Sequence, residues 1–274
     1  MSYENFYDLN EPPFFNNPDE RFFYRTPQSE KAILKILHAL KRKMGLAVIT
    51  GNIGSGKTML SRKLLESLDN RYFVSSLIVM VHSEVSPKWF LKKLLLQFGV
   101  ETDYEDKKNL LVLLYRKLVK INGEGKIPVV LIDEANMIRN KEFFEEIRGL
   151  LNFENKKGKL INFVMFGLPE LVENIKMDMP LAQRIAISVS LNPMNKSTTV
   201  DYINHRLNVA GADEKIFTDE SIDMIYEYSG GIPRIVNTIA DNALLEGYIE
   251  GKKLIDKKII DNTVVDLGLV TSAR

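Results

Sequence analysis

The residues best suited to chemistry in this sequence lie in one short segment, Gly51–Thr58. Their spacing matches G-x-x-x-x-G-K-[ST], a loop whose backbone N–H groups converge on phosphate oxygens. In such a loop Lys57 supplies a mobile cation for the β- and γ-phosphates, and the Thr58 hydroxyl is a magnesium ligand. The residues predicted to bind nucleotide are Gly51, Asn52, Ile53, Gly54, Ser55, Gly56, Lys57, Thr58 and Met59.

The segments on either side of this loop decide whether it is a chance glycine-rich turn. The apolar run Leu46–Thr50 before it is typical of a buried strand. Met59–Leu65 after it is typical of a helix, whose N-terminus adds partial positive charge. Strand, glycine loop and helix together form the context that a phosphate-binding loop requires, so we favour that function over the chance turn.

A second candidate for chemistry is the apolar strand Pro128–Ile132, which ends in Asp133 and Glu134. Asp133 at a strand tip beside Thr58 is predicted to hold magnesium, directly or through water. Glu134 is predicted to position and polarise an attacking water, since a general base needs only hydrogen-bond reach to its proton. The alternative is that the two carboxylates cap the following helix.

Composition limits the remaining possibilities. Of 274 residues, 45% are hydrophobic and 27% charged, which is ordinary for a globular chain. The sequence has no cysteine, which excludes disulfides and cysteine-ligated zinc. The sequence has no signal peptide pattern and no apolar run long enough to span a bilayer. We therefore expect a cytoplasmic protein, with peripheral association at the inner face of the membrane as an alternative. A net charge of +1 argues neither for nor against nucleic acid.

Strands and helices alternate through the first two thirds of the chain, which predicts an α/β fold with a parallel sheet covered by helices on both faces. The predicted strands are 46–50, 77–82, 128–132, 160–166 and 186–191. The predicted helices are 29–43, 57–68, 87–98, 107–121, 141–152 and 169–175. Ligands of such sheets bind at the carboxyl ends of the strands, where the glycine loop also lies.

From about residue 194 only helices are predicted, at 197–209, 219–229, 233–249 and 256–266. We therefore divide the chain into three parts. Residues 1–28 form an aromatic strap packed on the core, 29–193 form the nucleotide-binding α/β domain, and 194–274 form a small helical lid. The strap is too aromatic for a disordered tail; whether it covers an adenine or contacts a neighbouring subunit stays open.

The motifs resemble those of AAA+ ATPases, and within that group the general secretion pathway protein A (ExeA-type) family. The match covers nearly the whole chain. Its segments are Phe6–Leu9, Pro13–Phe14, Asn17–Asp19, Arg21–Tyr24, Thr50–Thr58, Leu131–Asn136, Glu146–Asn152, Gly167–Leu171, Leu181–Ile185, Tyr202–Leu207 and Gly230–Arg234. The two catalytic motifs are general to many NTPases, whereas the strap and the block at Gly167–Leu171 are more specific.

The resemblance implies further site residues. Arg234 matches the sensor arginine of the helical lid, which reaches the γ-phosphate, and Arg184 matches an arginine finger given to a neighbouring subunit. An exposed helix-start arginine and a surface salt-bridge arginine are the alternatives. Two positions depart from the family, because related proteins usually have Gln at Leu168 and at Asn136. A leucine at 168 cannot orient water, so hydrolysis could be slow or depend on a partner.

Three functions remain open from the sequence. The first is an ATP- and Mg²⁺-dependent assembly factor that forms a head-to-tail ring or filament and serves a secretion or pilus system of the envelope. Members of that family often carry a membrane span and a peptidoglycan-binding domain beyond the ATPase. This sequence ends at Arg274 with neither, so we expect a stand-alone motor or switch. The second is a nucleotide-gated DNA-binding scaffold, such as a transposition helper or initiator-like ATPase. The third is a switch that binds ATP and scarcely hydrolyses it.

Overall fold

The computed structural model describes residues 2–269, which form two compact units. An α/β unit comprises Pro27–Ile53 and Lys57–Leu191. Of the described residues, a helical unit comprises 2–26, the loop residues Gly54–Gly56 and 192–269. This unit is therefore built from an early and a late segment of the sequence.

The α/β unit contains a five-stranded sheet and a separate two-stranded hairpin. The strands are β1 (Leu46–Gly51), β2 (Phe73–Val79), β3 (Ile127–Asp133), β4 (Glu154–Asn155), β5 (Gly158–Lys159), β6 (Asn162–Gly167) and β7 (Ile185–Leu191). The sheet has the order β2-β3-β6-β1-β7, and every pairing in it is parallel. β4 and β5 pair antiparallel. All five carboxyl ends of the sheet therefore lie at one edge.

Helices account for most of the remaining chain. They are α1 (Tyr3–Phe6), α2 (Pro27–Lys41), α3 (Lys57–Ser67), α4 (Pro87–Gln97), α5 (Lys107–Gly123), α6 (Lys141–Leu150), α7 (Glu170–Ile175), α8 (Met179–Ala182), α9 (Lys196–Val209), α10 (Asp219–Ser229), α11 (Pro233–Ile249) and α12 (Lys257–Asp266). Helices α2–α8 belong to the α/β unit, and the others belong to the helical unit. Short 3₁₀ turns occur at Glu20–Phe22 and Ala135–Met137.

The predicted fold class is confirmed by the burial of the sheet. Every residue of β1 and β6 is buried, as are six of the seven in β3. Strands that are buried at consecutive positions must be covered on both faces, because successive side chains point to opposite faces. Their continuous apolar sequence follows from the same requirement.

Two parts of the α/β unit differ from the sequence prediction. β2 begins at Phe73 and ends at Val79, whereas 77–82 was predicted. It is an edge strand, so it tolerates the partly polar stretch Ser75–Ser76 that obscures its apolar pattern. The hairpin β4–β5 and the short helix α8 were not predicted, because two-residue strands and a four-residue helix carry no periodic signal.

The helical unit has its own hydrophobic core, to which the N-terminal strap contributes. Strap residues Tyr7, Phe14 and Phe22 are buried among side chains of α9–α12. The ring of Phe14 contacts that of Phe217 edge-on, with centroids 6.0 Å apart. The strap aromatics are thus core residues of this unit.

Within residues 2–269, no helix combines the length and the apolar composition needed to cross a bilayer.

Candidate nucleotide-binding site

The predicted phosphate loop connects the end of β1 with the start of α3. Gly54 and Gly56 adopt φ angles of +77° and +90°, a conformation that L side chains rarely take. The Lys57 side chain is buried, and its ammonium donates to the carbonyls of Gly51 and Asn52, at 3.0 Å each. The lysine is thus held against the loop at the carboxyl edge of the sheet.

The loop also contains a buried polar atom that lacks a partner. The Ser55 hydroxyl is inaccessible to solvent and accepts or donates no hydrogen bond within residues 2–269. Such an orphaned group costs about 1–3 kcal/mol. A phosphate oxygen is the kind of acceptor it requires, so the loop fits a nucleotide phosphate on the chemistry of its own atoms. By contrast, the predicted binding residues Ile53 and Met59 offer no polar side chain, and Ile53 is 66% exposed.

A third residue, Ser61, links the backbone of Thr58 to the carboxylate of Asp133. Its hydroxyl lies 2.9 Å from the carbonyl of Thr58 and 3.3 Å from a carboxylate oxygen of Asp133. Asp133 is only 1% exposed and ends β3, which is separated from β1 by β6. Ser61 therefore fixes the first turn of α3 to the tip of β3, as a shared metal and phosphate site requires.

Glu134 follows in a conformation that the sequence does not reveal. Its backbone is left-handed, with φ +53° and ψ +34°, although it is not glycine. Its N–H donates to a carboxylate oxygen of Asp133 at 3.0 Å. Its own carboxylate caps nothing and has no hydrogen-bond partner within residues 2–269, which argues against the helix-capping alternative. Backbone strain of about 1–2 kcal/mol at such a position is typical of functional sites.

A polar side chain does lie at the tip of β6, where Leu168 offers none. The side-chain oxygen of Asn136 accepts the backbone N–H of Leu168 at 3.0 Å. A Cβ on Gly167 would come within 2.9 Å of the same oxygen, so only glycine fits without a shift. The Asn136 amide nitrogen donates no hydrogen bond within residues 2–269, so it stays available as a donor. Asn162, at the opposite end of β6, instead accepts the N–H of Gly45 at 3.0 Å.

Arg184 lies just before β7 and contacts α6 of its own chain. Its guanidinium donates to the side-chain oxygen of Asn152 at 2.6 Å and to the carbonyl of Arg148 at 3.3 Å. Both contacts use one nitrogen, Nη1, so the other donors of the fork remain for a further acceptor.

Arg234 belongs to the helical unit, together with the loop residue Gly54. Its backbone N–H donates to the carbonyl of Gly54 at 3.3 Å. A Cβ on Gly54 would lie 2.8 Å from the Cβ of Arg234 and 3.2 Å from the Ile232 side chain. The arginine side chain itself is exposed. Within the helical unit, the start of α11 therefore lies against Gly54.

Sequence reasoning missed two residues of the site. Ser61 lies one turn after Thr58 on α3, where a serine is typical of any helix surface, so only its burial distinguishes it. Asn136 was noted only as a departure from the family pattern. Its hydrogen bond with the N–H of Leu168 joins residues 32 positions apart, so no local sequence pattern predicts it.

Comparisons with known proteins agree with this geometry. A family model described as "AAA domain" matches residues 39–175, half of the chain. The chain is 31% identical over 256 residues to General secretion pathway protein A of Aeromonas hydrophila, a match that covers 92% of this chain and 46% of that protein. It therefore spans about half the length of this relative.

Two solved structures share the fold at 14% identity. One is the Aeropyrum pernix ORC2 protein in ADPNP–ADP complexes, with a TM-score of 0.65 over 94% of this chain and 72% of that one. The other is the Aeropyrum pernix ORC1 protein in complex with DNA, with a TM-score of 0.67 over 94% and 71%. From the family match, the parallel sheet and its glycine loop, we conclude that the chain belongs to the AAA domain family, the AAA+ type of P-loop NTPase.

Proposed function

We propose that this protein binds and hydrolyses ATP and uses the cycle to control its own assembly. The observation that carries the proposal is the Ser61 hydroxyl, which lies between the Thr58 carbonyl and the Asp133 carboxylate. It joins the phosphate loop to an acidic strand tip, the two halves of an NTP site. The likeness to a relative named for secretion supports envelope assembly as the setting.

The chain's own residues would act as follows. The backbone of the loop and the Ser55 hydroxyl hold the β- and γ-phosphates, and the Lys57 ammonium neutralises their charge. Mg²⁺, held by Thr58 and Asp133, would add further positive charge there. Arg234 has the role of sensor arginine for the γ-phosphate in this proposal, as the family resemblance implies.

Glu134 is the general base in this proposal. Its carboxylate accepts a proton from water as the water oxygen bonds to the γ-phosphorus. The bond from that phosphorus to the β–γ bridging oxygen breaks, and ADP leaves with the electron pair. The free carboxylate and its strained backbone support the role.

Asn136 takes the place that the family gives to a polar residue at Leu168. Its amide donor at the tip of β6 can orient the attacking water, which Leu168 cannot. Hydrolysis therefore does not require a partner to supply this group.

Assembly in this proposal depends on Arg184. The donors that α6 leaves unused allow the guanidinium to stabilise the transferred phosphoryl group of a neighbouring subunit. Because that contact is heterologous, it generates a ring or filament.

Binding of a fluorescent ATP analogue with and without Mg²⁺ tests the site. Lys57→Ala should weaken binding by roughly tenfold or more, because a charged hydrogen bond contributes about 1.5–3 kcal/mol. Lys63→Ala, later on the same helix and paired with Glu66, is the matched control. Asp133→Asn should remove the Mg²⁺-dependent part of the affinity and leave the rest. An Asp133→Asn variant with the wild-type Mg²⁺ dependence would contradict the proposal.

A further inference from the structure

The amino edge of the sheet, opposite the nucleotide site, carries a dense set of cations. Three connections meet there: the turn from α2 to β1, the turn from α5 to β3, and the hairpin β4–β5. We call seven cations of these connections the basic rim. It consists of Lys41, Arg42, Lys43, Lys120, Lys126, Lys156 and Lys157.

Direct contacts hold these connections together. The Lys43 ammonium donates to the side-chain oxygen of Asn122 at 2.6 Å, which ties the first turn to the second. The N–H of Lys159 donates to the Lys43 carbonyl at 3.4 Å, and a Cβ on Gly158 would lie 3.0 Å from the Lys43 Cβ. The hairpin is therefore packed against the first turn, and the rim is one continuous surface.

The rim has seven cations, and the same connections carry two carboxylates, Glu124 and Glu154. Within residues 2–269, none of its seven cations has a carboxylate within ion-pair distance. Glu154 of the hairpin pairs with Lys159, outside the rim. Burial, and next the positive charge of Lys157, hold the pKa of Lys43 below its ordinary value.

The left-handed backbone at Lys43 ends α2. Its φ is +53°, and the N–H groups of Lys43 and Met44 donate to the carbonyls of Leu40 and Ala39 at 3.0 and 3.1 Å, the bonds of a common helix C-terminal motif. An external anion would offset the repulsion between Lys43 and Lys157.

Exposed apolar side chains are interleaved with the cations. Met44 is 43% exposed, Tyr115 44% and Val119 43%. Tyr72, at 59%, precedes β2, and its carbonyl accepts the N–H of Ile127 beside Lys126. Tyrosines among lysines are typical of surfaces that sit at the boundary of headgroups and acyl chains.

We propose that the basic rim docks the protein on a membrane surface rich in anionic lipid. Phosphodiester headgroups match the unpaired lysines, and Met44, Tyr72 and Tyr115 enter the interface beneath them. Duplex DNA offers the same charge but no apolar layer to cover the exposed parts of these side chains. The rim contains no residue of the nucleotide site, so membrane binding through the rim can be tested independently of ATP hydrolysis.

Vesicle co-sedimentation of the full chain tests the charges. Vesicles of phosphatidylcholine mixed with phosphatidylglycerol should bind the protein at low salt, and phosphatidylcholine alone should not. Each lysine near an anionic surface raises the binding constant about fivefold, so Lys156→Glu with Lys157→Glu should weaken binding about 30-fold or more. Lys257→Glu with Lys258→Glu makes the same charge change on an exposed pair of α12 and should bind as wild type.

The same assay at raised salt tests the apolar side chains, together with a duplex DNA of matched charge. Tyr72→Ser should weaken the binding that persists at high salt. Tyr104→Ser, at an exposed tyrosine outside the rim (52% against 59% for Tyr72), should not. The proposal is overturned if phosphatidylglycerol vesicles do not bind, or if both lysine pairs behave alike. It is also overturned if Tyr72→Ser has no effect, or if DNA binds more tightly than the vesicles and loses affinity in the rim variant.

Discussion

Arg206 binds the N-terminal strap within the helical unit, and the effect of replacing it can be predicted quantitatively. The guanidinium is buried and donates to the carbonyls of Pro13 at 2.5 Å and Phe15 at 2.9 Å. It also donates to the hydroxyl of Tyr202 at 2.9 Å, and its charge lies 4.9 Å from the ring centre of Phe22. The strap thus closes around a cation held by carbonyls and rings.

The cost of Arg206→Met follows from these contacts. Methionine keeps much of the apolar packing but leaves the carbonyls of Pro13 and Phe15 without their donor, at about 1–3 kcal/mol each. Loss of the cation–ring attraction adds to this, and relief from burying a charge opposes it. We take a net loss of about 3 kcal/mol for the closed strap, equivalent to a factor of about 150 in its opening equilibrium.

The rate of limited trypsin digestion measures the opening equilibrium of the strap. The strap contains Arg21 and Arg25, and cleavage after either requires the segment to open. Mass spectrometry should show cleavage there about 150-fold faster in Arg206→Met. Arg206→Lys, which keeps the charge but lacks the planar fork, should be intermediate. Arg116→Met, on the exposed face of α5, is the control. A folded Arg206→Met with the wild-type cleavage rate would refute the reasoning.

Three further predictions follow from single residues. Gly167→Ala brings a Cβ within 2.9 Å of the Asn136 side-chain oxygen, so it should lower the unfolding free energy measured in urea by about 1–3 kcal/mol. In the control Gly149→Ala, within α6, the added Cβ meets no atom within 4 Å, so the unfolding free energy should rise by about 0.5–1 kcal/mol. Burial lowers the pKa of His205, so protonation favours unfolding and the unfolding free energy falls as pH drops below about 6.5. In guanidinium titrations, His205→Phe should lose less stability than wild type over this pH range, and an equal loss would count against this reasoning. Arg184→Ala should abolish ATP-dependent assembly in light scattering, and a wild type that stays monomeric with every nucleotide would exclude the shared site.

The sequence predicts most of the helical unit because its helix ends carry local signals. The limits of α10 and α11 were predicted to the residue, at 219–229 and 233–249. Thr218 caps the first with its side chain, Gly230 ends it in a left-handed conformation, and Pro233 begins the second. β2 was misplaced because an edge strand needs no continuous apolar run.

The candidate site was predictable only where a motif fixes the residue types. The loop and the acidic pair are visible in the sequence, because phosphate and Mg²⁺ chemistry demands those residues at that spacing. The link through Ser61 and the contact of Asn136 with Leu168 depend on how distant elements pack. Glu134 gives no sign in sequence of its left-handed backbone, since glutamate ordinarily avoids it.

The central claim, that Glu134 activates water for ATP hydrolysis, is tested most directly by steady-state turnover of Glu134→Gln. Glutamine keeps the shape but cannot accept the proton, so kcat should fall by about 10²–10⁴ while ATP affinity is retained. Glu142→Gln, an exposed carboxylate at the start of α6, should hydrolyse as wild type. Turnover by Glu134→Gln at the wild-type rate would contradict the account.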